Sequence, residues 1–277
     1  MQPGADAVQP VSGAIPRYKW VEAFRTQTRV IGAVILRDMR TRFGRTYLAY
    51  MIAILWPLSH LMALLGIYTV TVKLAPVGSN LTVFIASGIL PYILCIYPSR
   101  QLMFALLQNQ PLLNFPIVKT TDLMFARAIL EVINAGIVVA FFALLLYIMD
   151  IDFMPLDPFV AIAAICASVA LGVGMGLANI IGFALFKTGW NLASVVMMII
   201  MYSTSGTLWL PSSMSETARD ILWWNPLLHC VEWLRSAYYD GYGENMLSKT
   251  YVISVAVLNI FLGILGDRVL RGRLQQP

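Results

Sequence analysis

Charge is what this sequence has least of. Acidic and basic residues together fill 12% of its 277 positions, against 59% for hydrophobic ones. A soluble domain carries about 25% charged residues, so a freely soluble chain is excluded. Mean hydropathy is +0.74, and the bilayer is the natural solvent. Histidine is almost missing too: His60 and His229 lie in different segments, with no HExxH, GxSxG or paired-carboxylate motif beside them, so hydrolase and metalloenzyme chemistry has nothing to stand on. The three cysteines, Cys95, Cys166 and Cys230, have no CxxC spacing and read as packing residues rather than metal or redox groups. None of the five lysines follows a glycine, so the phosphate-cradling Gly-Lys-Ser/Thr device is absent. If ATP drives this protein, another chain hydrolyses it. Residues 1–16 hold no basic residue and no continuous apolar run, which argues against a cleavable signal and for a flexible cytoplasmic tail.

What is present is apolar sequence in long stretches. A spanning helix needs about 20 apolar residues. Several segments qualify, and six apolar stretches follow one another, near residues 46–72, 81–107, 123–149, 158–185, 191–210 and 251–265. Helices are required because an unpaired backbone is too costly in lipid and no strand-like alternation is visible. Ahead of them, residues 17–45 gather Trp20, Phe24, Ile31 and Ile35 on one helical face and Arg25, Arg29 and Arg40 on the other, the pattern of an amphipathic interfacial helix on anionic headgroups. Residues 211–250, rich in Trp, Tyr and Pro, are too polar to cross and are expected as short re-entrant or outer-surface helices. The expectation is thus an all-α polytopic membrane protein: an interfacial helix at 17–45, a six-span domain at 46–267 and a cytoplasmic tail at 268–277. With the N-terminus inside, fourteen Lys and Arg lie on the cytoplasmic side and four outside, so both termini are placed in the cytoplasm.

Several residues carry two readings each. Arg127 and Glu131, four apart, suit a structural ion pair on one helix face. Arg100 either snorkels to the inner surface or meets a substrate phosphate. Gly172 and Gly176 form a GxxxG element, for packing within the subunit or for a dimer contact. His60 is a packed residue or a substrate contact. Trp209, Trp223, Trp224, Trp233, Tyr238, Tyr239 and Tyr242 suit an interfacial belt or sugar stacking, and Tyr47, Tyr50, Trp56, Tyr92 and Tyr97, with His60, could line a sliding path for a glycan. Arg40, Arg42 and Arg45, with Arg100, are candidate contacts for an anionic lipid phosphate at the inner mouth.

Two stretches, VIGAVILRDMRTRFGRTYLAYMIAILWPLSH (Val30 to His60) and WNPLLHCVEWLRSAYYDGY (Trp224 to Tyr242), resemble the permeases of type-2 ABC exporters, most of all the capsular polysaccharide permeases of the KpsM kind. The specific parts are Arg42 to Arg45 and the pattern Asn225, Pro226, Leu227, His229, Glu232, Arg235. The resemblance implies a bacterial inner-membrane permease without enzymatic activity of its own. It implies a homodimer above two copies of a separate ABC ATPase that binds ATP and Mg, a lipid-linked polysaccharide as substrate, and a periplasmic co-polymerase or adaptor as a further partner. No bound cofactor, metal or nucleic acid is implied for this chain. By the same resemblance, residues 108–121 contact the ATPase through Leu112, Leu113, Phe115 and Ile117. O-antigen, teichoic acid or a small lipophilic compound are alternative substrates, and a non-transporting scaffold is the alternative of another class.

Overall fold

The computed structural model describes residues 17–43, 47–71, 75–242 and 246–274, and every regular element among them is helical. The N-terminal tail and Arg45 lie outside the described residues. Helix α1 (Arg17–Phe43) precedes α2 (Tyr47–Thr71), α3 (Leu81–Met103) and the single turn α4 (Ala105–Gln108). A 3-10 turn (Gln110–Asn114) leads to α5 (Thr120–Ile148), followed by α6 (Pro158–Phe186) and α7 (Thr188–Ser203). Two short helices, α8 (Glu216–Leu222) and α9 (Pro226–Ser236), come before the long α10 (Lys249–Leu274).

Local chemistry sets where these helices begin. Asn80 accepts the backbone N–H groups of Thr82 and Val83 to start α3, and Asp157 does the same for Phe159 and Val160 ahead of Pro158. A side-chain oxygen at the cap satisfies donors that have no intrahelical partner, and proline at the first helical position loses no bond. Asp122 accepts from the Lys119 N–H at 3.0 Å and so starts α5.

The helices pack on α6 and α3. An ideal Cβ on Gly172 would stand 2.5 Å from the Cys95 carbonyl oxygen, and one on Gly176 would stand 2.7 Å from Leu102 Cβ, so α3 and α6 run parallel with their backbones nearly touching. On the other side of α6 a Cβ on Gly174 would stand 2.7 Å from the Ala256 carbonyl oxygen, and Gly263 opposes Leu177, which seats α10 alongside in the same direction. Lipid tails are as apolar as leucine, so association in the bilayer relies on such close approach. The GxxxG element therefore packs within the chain. Helix α3 is the central strut: 78% of its apolar window is buried, against 22% for α10.

Among the described residues α3, α5, α6 and residues 249–270 of α10 are long and apolar enough to cross a membrane, while 55–71 of α2 and α7 are shorter apolar helices. The expected segment at 191–210 begins a little earlier, at Thr188, and ends well short of Leu210. Helix α7 stops at Ser203, and with 16 residues it covers about 24 Å. Thr204, Ser205 and Gly206, the last with φ +71°, turn the chain back, and Arg235 binds the carbonyls this releases. Similarly α3 ends at Met103 rather than near Leu107, and α10 continues as one helix to Leu274.

Candidate functional site

Three polar or aromatic groups stand out in an otherwise apolar bundle. The first joins α1, α3, α4 and α5. Arg127, fully buried on α5, places Nη1 3.2 Å from Asp38 Oδ2 on α1 and Nε 3.1 Å from Glu131 Oε1, and its Nη2 donates to Gln101 Oε1 of α3 at 3.0 Å. The Arg127–Glu131 pair is thus the structural ion pair, extended by a second carboxylate, Asp38, from another helix. Asn109, just after α4, donates to Asp38 Oδ2 and to the Ala105 carbonyl, and accepts from Arg37 Nη1 at 3.3 Å. Nearby, Gln27 donates to Asp122 Oδ1 at 2.7 Å, and Thr120 donates to Asp267 of α10. Charges this deep are tolerated only when paired and hydrogen-bonded, and their geometry fixes how the helices meet.

This network holds one end of the segment leading to α5. There the four apolar residues split into two pairs. Leu112 and Leu113 are half-buried against the cluster built from Val34, Leu102, Leu106 and Leu123, whereas Phe115 and Ile117 are 57% and 59% exposed. The inner pair holds the segment to its own helices and the outer pair offers apolar surface. On α1 the N-terminal half exposes Trp20 and Phe24, while Val34 is buried and Ile31 and Ile35 pack inward. Arg40 is exposed near the end of α1, Arg42 belongs to its last turn, and Arg100 is half-buried with Nη2 donating to Asn191 Oδ1 of α7 at 3.3 Å.

The second group lies between α2, α3 and α7. His60 Nδ1 is 3.1 Å from the Tyr97 hydroxyl, its ring meets Tyr92 edge-on at 6.3 Å, and Tyr92 packs on Tyr202 at 4.3 Å. Three of the residues expected along a glycan path are thereby together, with Tyr92 buried in this subunit and Trp56 exposed on α2. Tyr47 and Tyr50 belong to the first turns of α2. Tyr202 was not among the expected residues, because it is far from Tyr92 in sequence and only the packing of α7 on α3 joins them.

The third group closes the far end of α7. Asn225 caps α9 through Leu227 N–H and donates to the Met201 carbonyl and Thr204 Oγ1, so it also finishes α7. Arg235, fully buried, donates to the Gly206 and Thr207 carbonyls at 2.7 and 2.6 Å, lies 3.9 Å from the Phe84 ring centroid and pairs with Glu232 at 3.7 Å. Tyr242 donates to that same Glu232 at 2.9 Å. Burial raises the Glu232 carboxyl above its usual value, against the opposing pull of Arg235 and Tyr242. His229 accepts at Nδ1 from the Ser248 N–H, so its Nε2–H donates to the Trp223 carbonyl at 2.7 Å. Burial holds its pKa below 6.5, and the ring is neutral. A Cβ on Gly88 would stand 2.5 Å from the Thr207 carbonyl oxygen, which is why that position of α3 has no side chain. The Asn225, Pro226, His229, Glu232, Arg235 pattern is therefore a buried clamp. Several outer aromatics pack with it or beside it: Trp233 is buried and Tyr238 donates to the Phe153 carbonyl, while Trp224 is exposed.

In these three groups the buried polar side chains are largely spent on neighbouring helices and on backbone carbonyls. What they offer is rigid helix contacts, a patch of hydroxyl-bearing rings and an exposed apolar pair. Residues 31–239, about three quarters of the chain, match the ABC-2 type transporter family. The chain is 30% identical to the polysialic acid transport protein KpsM of Escherichia coli over 87% of its length and 93% of that protein's. It is 25% identical to the capsule polysaccharide export inner-membrane proteins CtrC of Neisseria meningitidis serogroup A and BexB of Haemophilus influenzae, over 88% of this chain and 92% and 91% of theirs. With its apolar helices, its polar clamps and a match across most of its length, the chain belongs to the ABC-2 type transporter family.

Proposed function

We propose that this chain is the permease of an ATP-driven exporter that carries a lipid-linked capsular polysaccharide across the bacterial inner membrane. The observation that carries this reading is the near end-to-end similarity to three relatives named for polysialic acid transport or capsule export. Two copies form the conduit, each crossing six times with both termini in the cytoplasm. Two copies of a separate ABC ATPase supply hydrolysis with ATP and Mg, and a periplasmic adaptor receives the polymer. The fourteen-to-four bias of basic residues supports this orientation. In it, α1 lies along the inner leaflet with Trp20 and Phe24 toward lipid, and Arg40, Arg42 and Arg45 attract the substrate phosphate. The glycan path is assigned to His60, Tyr92, Tyr97, Tyr202 and Trp56, with Tyr47 and Tyr50 of the same helix as Trp56 as further candidates, because rings hold sugars weakly enough for the chain to slide.

The segment 109–117 receives the stroke of the ATPase. Phe115 and Ile117 suit a groove on that partner, because apolar anchors that become buried dominate interface energy. Asn109 and Leu112 then pass its displacement to α1 and α5. Changing Phe115 and Ile117 together to Asp in cells lacking the native copy should leave the permease in the membrane and abolish surface polysaccharide, with glycolipid accumulating inside. Normal capsule in that variant would remove the coupling role. If deletion of the protein instead depleted O-antigen or teichoic acid and spared capsule, the substrate would be reassigned.

A further inference from the structure

Helix α10 runs unbroken for 26 residues, about 39 Å, with no proline inside it. By contrast α2 contains Pro57, and α3 contains Pro91 and Pro98. The contact of α10 with α6 is made through glycine on both helices. An ideal Cβ on Gly174 would stand 2.7 Å from the Ala256 carbonyl oxygen, and those on Gly263 and Gly266 would stand 2.6 Å from Leu177 Cβ and Ile181 Cγ1. At this approach neither helix can bend toward the other, so α6 and α10 behave as one stiff pair.

The pair is tied at both ends. At the inner end Thr120, the first residue of α5, donates to Asp267 of α10, and both are fully buried. Leu177 and Ile180 of α6 and Leu270 of α10 belong to the same apolar cluster as Leu112 and Leu113. At the outer end the bonds run to α8, α9 and the turn between them. The Tyr251 hydroxyl donates to the Trp224 carbonyl at 2.8 Å, and the Ser248 N–H donates to His229 Nδ1 at 3.2 Å. Just ahead of α6, the Asp157 N–H donates to the Ala237 carbonyl at 3.1 Å.

We propose that the α6–α10 pair is a rod that carries movement of residues 109–117 to the buried clamp around Arg235, and that Thr120 and Asp267 are the positioning residues that fix its inner end. The proposal rests on the coupling role given above to Phe115 and Ile117. A push on that segment reaches the first turn of α5 and moves Asp267 with Thr120. Because the pair does not bend, the shift arrives at Asp157, Ser248 and Tyr251, and so at α9. Packed rigid elements carry coupling between distant sites in this way. Arg235 of α9 holds the Gly206 and Thr207 carbonyls, so the turn that follows Tyr202 moves with it. The stroke thereby reaches the aromatic group from its outer side.

The test uses the complex of this chain with its ABC ATPase in lipid nanodiscs, with Mg-ATP and vanadate as the trigger. Ile221 of α8 is 70% exposed, so Ile221→Cys with a polarity-sensitive dye reports on the outer end. The exposed Cys166 is changed to Ser, and the same complex without Ile221→Cys supplies the background. Mg-ATP with vanadate should change the dye signal. Thr120→Val matches the side-chain shape and lacks the hydroxyl. It should cut both that change and surface polysaccharide in cells about fivefold, while ATP hydrolysis without vanadate stays within about twofold. Thr120→Ser, which keeps the hydroxyl, should restore both. A single elution peak with bound ATPase identifies assembled complexes, and Thr120→Ala would serve if Thr120→Val failed to assemble. No nucleotide-dependent signal in the complex with Thr120 intact, or an undiminished one in assembled Thr120→Val, would overturn the proposal. Equal losses in Thr120→Ser and Thr120→Val would trace the effect to the methyl packing rather than the hydroxyl, and would overturn it too. Phe115 and Ile117 changed to Asp separate it from the reading beneath it. Normal surface polysaccharide in that variant would remove the coupling role, whereas failed export there with an undiminished signal in Thr120→Val would remove the rod alone.

Discussion

Removing Arg127 is the most informative perturbation of the inner network. Its guanidinium is fully buried and lies within 3.2 Å of Asp38 and 3.1 Å of Glu131, which are themselves 3% and 4% exposed. Arg127→Met keeps the stem and deletes the charge, so two buried carboxylates lose their shared counter-charge. Breaking such a pair from one side costs about 3–5 kcal/mol, because a buried charge is left uncompensated. Asp38→Asn removes one of those carboxylates while keeping an oxygen acceptor for Asn109. Combined with Arg127→Met it should cost less than the two single losses added together, with a coupling of about 1–3 kcal/mol. The assay is reversible denaturation in detergent micelles followed by fluorescence of the seven tryptophans, for the four members of the cycle. Additivity within about 0.5 kcal/mol would refute the view that Arg127 and Asp38 act as one unit joining α1 to α5. A loss from Arg127→Met of under about 1 kcal/mol would refute the buried-pair argument altogether.

Gly172→Ala should destabilise by about 1–3 kcal/mol, since its Cβ meets the Cys95 backbone at 2.5 Å. Gly136→Ala, with nothing within 4 Å, should be neutral or gain up to about 1 kcal/mol, and thermal unfolding of the pair separates close packing from helix propensity. For His229 the folded pKa lies below 6.5, so the unfolded chain takes up the proton first. Its contribution is therefore intact above about pH 6.5 and is lost as pH falls through that value toward the folded pKa. Comparing melting at pH 7.5 and at about pH 5.5, His229→Gln should remove part of the acid-induced drop. An unchanged drop would refute the contribution of this ring's protonation to acid destabilisation.

Much of this protein was legible in residue order, for a simple reason. In lipid every backbone bond must close within a helix, so apolar length alone announces α2, α3, α5, α6 and α10, and Asn80 and Asp157-Pro158 mark two of the starts. The separation of Arg127 and Glu131 already implied a shared face, because that pairing is local. Long-range pairings carry no such local mark. Nothing in the order of residues places Asp38 and Asn109 on Arg127, joins Tyr202 to Tyr92, or tells whether Gly172 and Gly176 face α3 or a second subunit. The early end of α7 escaped the sequence for the same reason: hydropathy continues to Leu210, but the helix stops at Ser203, where Arg235 donates to the turned carbonyls of Gly206 and Thr207. Composition and helix period determined the all-helical class, the presence of α1 and most boundaries. Only the tertiary structure decided which buried charges meet, that the Asn225 to Arg235 pattern is a clamp rather than an open surface, and that Phe115 and Ile117 face outward while Leu112 and Leu113 do not, since each depends on what distant helices leave room for.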